Sequence, residues 1–172
     1  MVHGLCLRYG WLGFLARPID AGRTLHGKPV LGHSKTLRGP LTVAAGAAVV
    51  WTLQRTLLHR FGALAAIELG DIASLPWWLG ALVGGVAELA ELPNSFVKRR
   101  LGIEPGATAR GVLSAVFYLW DQLDVLIGFW LVVAWFVPAT PLRIATSIVI
   151  AGLIHPLLTV AGYLLGMRPT PR

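Results

Sequence analysis

Two pairs of carboxylates carry the chemistry that this sequence could do. Glu88 and Glu91 end one apolar run, Asp121 and Asp124 lie inside the next, and between them come Lys98-Arg99-Arg100 and a Pro105-Gly106 turn. The members of each pair are three residues apart, so in a helix they share one face. Charge within an apolar helix is expensive and usually has a reason. A short polar loop joining the pairs brings them to one end of two antiparallel helices. The expected result is an acidic cluster rimmed by cations, which suits a polyanion carried on a divalent metal. Mg²⁺ takes oxygen ligands, commonly one or two carboxylates plus substrate phosphates. Two such ions about 4 Å apart could clamp an in-line displacement at phosphorus. The plainer alternatives are that Asp121 and Asp124 pair with buried arginines, and that Glu88 hydrogen-bonds a neighbouring helix.

The cations fall in two loops. After Pro93 come Asn94, Ser95, Lys98, Arg99 and Arg100, and a helix beginning there would add its N-terminal amides to an anion site. A plain charge run is as readily a solvated face or a headgroup anchor. Earlier, RPIDAGRTLHGKPVLGHSKTLRG, from Arg17 to Gly39, reads as a structured loop that sets Lys35, Thr36 and Arg38 among glycines. Such a composition lets backbone amides approach phosphate, although the Walker spacing is absent. The histidines lack ligand spacing, and His155, beside Pro156, reads as a hydrogen-bonded core residue. The lone Cys6 reads as a small buried hydrophobe. The tryptophans at 77, 78, 120, 130 and 135 read as interface anchors.

The elements that position these groups are apolar. The chain is 55% hydrophobic and 13% charged over 172 residues, whereas about a quarter of a soluble domain is charged. It therefore reads as a single integral membrane domain, 1–172, of the all-α class. Four runs reach or approach spanning length: Pro40 to about Leu58, about Ile72 to Leu92, about Val112 to Val137, and about Leu142 to Leu165. Leu5 to Ala16, interrupted by Arg8, is too short to span and lacks a signal-peptide cleavage site, so a short apolar or interfacial helix is expected. Arg60 to Asp71 reads as a short surface helix. The net charge of +7 would also suit nucleic acid. No nucleic acid is expected, however, because the cations lie between apolar runs rather than along a soluble face.

Lys and Arg counted on alternate sides give twelve on the side of Arg17–Gly39, Lys98–Arg110, Arg168 and Arg172, against Arg55, Arg60 and Arg143 on the other. The positive-inside rule makes the first side cytoplasmic. Both basic loops, about 17–39 and 93–111, and both acidic pairs then gather at the cytoplasmic end of a cell-membrane bundle. Asp121 lies roughly 16 Å past Arg110 along a continuous helix, sunk below the surface.

Taken together, PIDAGRT, GKPVLGHSKTLRG, ELPNSFVKRRLGIEPG, DQLD and HPLLTVAGYLLG resemble the successive motifs of the CDP-archaeol synthases, relatives of the CDP-diacylglycerol synthases. The resemblance runs from about Arg17 to the C-terminus. It implies a polytopic enzyme that transfers CMP from CTP to a lipid phosphate, archaeol-type or phosphatidate, releases pyrophosphate and uses Mg²⁺. Lys35, Thr36 and Arg38 match the family's loop motif, and Ser95, Lys98 and Arg99 its basic motif. Asp121 and Asp124 match the paired aspartates used around metals in the wider superfamily. Before the basic motif the family usually has Asp after Gly, where this chain has Glu91 after Ala90, and four residues after the histidine Thr159 stands where Asn is common.

On this reading Glu91, Asp121 and Asp124 hold metal, and with Lys98 form the catalytic set. Lys35, Thr36, Arg38, Ser95, Arg99 and Arg100 bind CTP or the lipid phosphate. The competing classes are a small non-enzymatic transporter or scaffold and a CDP-alcohol phosphatidyltransferase, whose denser aspartate array is missing. Apolar helix faces suit a homodimer as well as lipid.

Overall fold

A computed structural model describes residues 2–62, 64, 71–107 and 109–166, without the side chains of residues 2, 3, 72 and 155. The expected surface helix between Arg60 and Asp71 falls largely outside the described residues. So do the side chain of His155 and the tail cations Arg168 and Arg172.

The chain is mostly helical. Helix α1 is Val2–Arg8, α2 Arg38–Arg60, α3 Leu79–Ala90, α4 Leu92–Arg100, α5 Val112–Val133 and α6 Pro141–Leu164, and the strands β1, Thr24–Leu25, and β2, Lys28–Pro29, form a small hairpin. Among the described residues, three helices, α2, α5 and α6, are long and apolar enough to cross a membrane. The second apolar run departs from the expectation of one long helix. It divides into a 3-10 turn, Ile72–Ser74, and the twelve-residue α3. Pro76 lies between them, and the residue before a proline is pushed out of the helical region.

Helix α3 is nevertheless the centre of the fold, packed between α2 and α5. Gly84 explains the closeness of α2, since an added Cβ there would lie 2.8 Å from the Val43 carbonyl oxygen. Gly128 of α5 does the same on the other side, where a Cβ would come 2.4 Å from Ala87 Cα. Trp51, Leu79 and Val132 form the buried core of this three-helix unit. The pairings run antiparallel: Trp51 meets Gly80 at one end of α2 and α3, and Gly39 meets Glu88 at the other. Helix α6 leans on α5 more loosely, with Trp130 Nε1 donating to Ser147 Oγ at 3.0 Å. Cys6 is buried, as its sequence context predicted.

Candidate active site

Glu91 follows the last residue of α3 in helical conformation, and Ser95 N donates to its carbonyl at 3.0 Å, so α4 continues almost directly from α3. Pro93, near the start of α4, has no N–H to donate back to α3, which marks the break between the two helices. This junction turns a short helix against the middle of α5. Lys98, Arg99 and Arg100 lie in the last turn of α4. The expected union of cations with helix N-terminal amides is therefore not what forms, since the two are at opposite ends of a nine-residue helix.

The contacts between α4 and α5 join the basic run to the acidic one. Lys98 Nζ reaches Asp121 Oδ1 at 2.6 Å and lies 5.2 Å from the centre of the Phe117 ring. Asn94 Nδ2 donates to Asp121 Oδ1 at 2.5 Å and to Asp124 Oδ2 at 2.8 Å. Asp124 and Asn94 are almost completely buried, whereas the Asp121 side chain is half exposed. Both aspartates thus converge on one nitrogen, as their shared helix face predicts. Glu91, at the junction of α3 and α4, pairs with Lys35 from the earlier loop. Glu88 turns elsewhere. A Cβ added to Gly39 would meet its Oε1 at 2.8 Å, so its carboxylate lies against the first turn of α2, where the helix dipole favours negative charge.

The loop that delivers Lys35 is built from its own backbone. Its ends close where Ile19 N donates to Lys35 O at 2.9 Å and Leu37 N to Arg17 O at 3.0 Å. The Asp20 carboxylate accepts from Leu31 N at 2.7 Å, Gly32 N at 3.2 Å and Gly22 N at 2.9 Å. Burial opposes the charge of Asp20, but these amides outweigh it and hold the carboxyl below its ordinary pKa. His26 and Gly27 both take positive φ, 50° and 74°, and make the two-residue turn between β1 and β2.

The remaining basic residues divide by their partners. Arg100 NH1 donates to the Leu25 carbonyl at 2.5 Å, and its NH2 donates to those of Lys28 and Pro29; Lys28 Nζ returns a bond to the Arg100 carbonyl at 2.9 Å. Its NH1 and NH2 thus fasten the hairpin to α4, while its Nε has no hydrogen-bond partner among the described residues. Arg99 is different. It is 6% exposed, and its Nε and NH1 have no hydrogen-bond partner among the described residues. Gly32 and Pro105 roof it, a Cβ at Gly32 falling 3.7 Å from Arg99 Cδ. Burial pulls its pKa below the arginine norm against the opposing charge of Glu104. Burying a charge without full pairing is costly. Arg38 donates to the Trp11 carbonyl at 3.2 Å from the first turn of α2, Thr36 bridges Pro18 at the loop closure, and Ser95 is buried on α4.

Among the described residues, no three His, Cys, Asp or Glu side chains stand close enough to hold a metal by themselves. The available acidic set is the Asp121–Asp124 pair, and two carboxylates with phosphate oxygens are a usual complement for Mg²⁺. The donor chemistry fits a hard divalent cation.

Comparison with known proteins adds an independent line. Residues 11–171 match the family model described as CarS-like, CDP-archaeol synthase. The chain is 33% identical over 171 residues to the CDP-archaeol synthase of Methanosarcina mazei, covering 90% of each chain. It is 37% identical over 163 residues to that of Aeropyrum pernix, covering 90% of this chain and 78% of the relative. No solved structure matches it.

Proposed function

This chain belongs to the CDP-archaeol synthase family, and from that premise we propose that the α4–α5 contact and the Lys35 loop together form its active site. The protein is a membrane enzyme of lipid biosynthesis, a CTP-dependent cytidylyltransferase whose lipid substrate is archaetidic acid. The observation that carries the site assignment is that Lys35 pairs with Glu91 and Lys98 with Asp121, with Asp124 buried one turn on from Asp121 and Arg99 buried next to Lys98 in the chain.

In the reaction an anionic oxygen of the lipid phosphate attacks the α-phosphorus of CTP. The α-phosphorus bond to the bridging oxygen breaks in line, and pyrophosphate leaves. The nucleophile needs no strong base, so catalysis is positioning and charge neutralisation. Lys35 and Lys98 each neutralise a carboxylate in this structure and carry the charges that would grip phosphate. Mg²⁺ would be held by Asp121 and Asp124 and would supply charge neutralisation on the triphosphate, while Glu91, the third acid expected to hold it, is paired with Lys35. Arg99, beneath the Gly32–Pro105 roof, is assigned to phosphate, Arg38, Thr36 and Ser95 are assigned to CTP or the lipid phosphate, and Arg100 braces the hairpin.

The proposal includes topology. Glu88 lies by Gly39, and Gly80 by Trp51, so α3 leads back toward the end at which α2 began. With α2 crossing the membrane, the segment 72–90 is the return path, which supports four crossings in one domain. The Lys and Arg distribution turns the site toward the cytoplasm. Outward leucines on α6, Leu153, Leu157 and Leu164, suit a homodimer as well as lipid.

The test is labelled CTP offered with archaeal-type and diacyl lipid phosphates to purified protein in detergent. CMP should pass to the archaeal-type lipid in a Mg²⁺-dependent manner. Asp124→Asn should lose at least about 100-fold in rate, the scale of removing a preorganised electrostatic contact. Full transfer by that variant would remove Asp124 from the site.

A further inference from the structure

Asn94 has no role in the reading so far, yet it is the least exposed polar side chain at the site, at 1%. Its amide nitrogen stands where the carboxylates of Asp121 and Asp124 converge, giving one hydrogen to each. Its carbonyl oxygen, also buried, has no partner among the described residues. An unsatisfied buried acceptor is costly, about 1–3 kcal/mol. Turning the amide over would not relieve it, because three oxygens would then face one another. The turned arrangement becomes favourable only with a cation among them.

We propose that Asn94 supplies the third protein oxygen of the divalent-cation site, and that in the cation-free protein its amide nitrogen holds the cation's place. The inference rests on Asp121 and Asp124 being the cation-binding pair. An amide oxygen also supplies what His, Cys, Asp and Glu do not: those residues alone give no three-membered set among the described residues. Amide and carbonyl oxygens are ordinary ligands for hard cations. The same residue sets the pair's spacing before the cation arrives, since its two N–H groups offset the repulsion between carboxylates one helical turn apart. Its carbonyl, idle in the free protein, is then used only in the loaded one.

The test is Mn²⁺ binding to purified protein without nucleotide, read by electron paramagnetic resonance of the free ion, alongside the rise in Tm given by Mg²⁺. Asn94→Ala should bind Mn²⁺ roughly 10–100-fold more weakly than the wild type, the usual loss when a metal site's supporting group is removed, and its Mg²⁺-induced Tm rise should shrink. A purely structural role would lower Tm equally with and without Mg²⁺ and leave Mn²⁺ affinity unchanged, which overturns the proposal. If Asn94→Ala does not fold, Asn94→Asp decides. It provides an oxygen but no donors, so it should bind Mn²⁺ at least as tightly as the wild type, and weaker binding overturns the assignment. A wild type that binds no Mn²⁺ defeats the reading of the aspartates along with this one. Binding lost in Asp124→Asn but kept in Asn94→Ala defeats Asn94 alone.

Discussion

Asp20 shows how one side chain far from the chemistry sets a residue within it. Its carboxylate gathers the amides of Gly22, Leu31 and Gly32, and Gly32 is the roof over Arg99. Because those amides hold its pKa below the ordinary carboxylate value, its charge stabilises the folded loop at every pH above that ordinary value. That contribution falls away as pH drops through the lower, folded value. Hydrogen-exchange protection of Leu31 and Gly32, corrected for intrinsic rates, should therefore decline in acid below about pH 4. In Asp20→Asn the protection should be lower throughout and lose this acid-dependent step. An unchanged acid step in the variant would detach Asp20 from the loop's stability. The residue types at the site were legible from sequence because apolar surroundings make their charges conspicuous. Their partners were not: Arg100 stands in the same basic run as Lys98 and Arg99, yet its NH1 and NH2 are taken up by hairpin carbonyls.

At the scale of elements, the register between α3 and α5 determines whether α4 reaches the aspartates. Gly128 sets that register by letting the backbone of Ala87 approach where any Cβ would collide at 2.4 Å. Gly128→Ala should lower stability by about 1–3 kcal/mol, the range for overpacking a tight contact, and should reduce activity with it by drawing Asp121 away from Lys98. Gly152→Ala on α6, where an added Cβ meets nothing within 4 Å, should leave Tm nearly unchanged. Thermal unfolding of both variants in the same detergent makes the comparison. Equal Tm losses would mean that close packing at Gly128 does not hold the bundle. The apolar runs that become α2, α5 and α6 were readable from length and hydropathy. The shortness of α3 and the continuation into α4 were not, because Pro76 and Pro93 interrupt a run whose composition stays apolar.

For the whole molecule, the fold brings the Arg17–Gly39 loop and α4 into contact, so both lie on one side of any membrane that α2 and α5 cross. Our proposal, from the distribution of Lys and Arg, is that this side faces the cytoplasm. In a Cys6→Ala background, Glu104→Cys should react with an impermeant thiol reagent in inverted vesicles and not in right-side-out ones, while Ala139→Cys should do the reverse. The opposite pattern would place the site outside, away from CTP.

The sequence alone determined the membrane class, the acidic and basic inventory, the shared face of each acidic pair and the family. Composition and helical periodicity are local properties, and a motif is a string. Only the tertiary structure decided that Lys35 pairs with Glu91, that Asn94 stands between Asp121 and Asp124, and that Arg99 is buried with its Nε and NH1 unpaired among the described residues. Hydrogen bonds and ion pairs act over about 3 Å, and which atoms come that close depends on helix registers set by contacts such as Ala87 with Gly128.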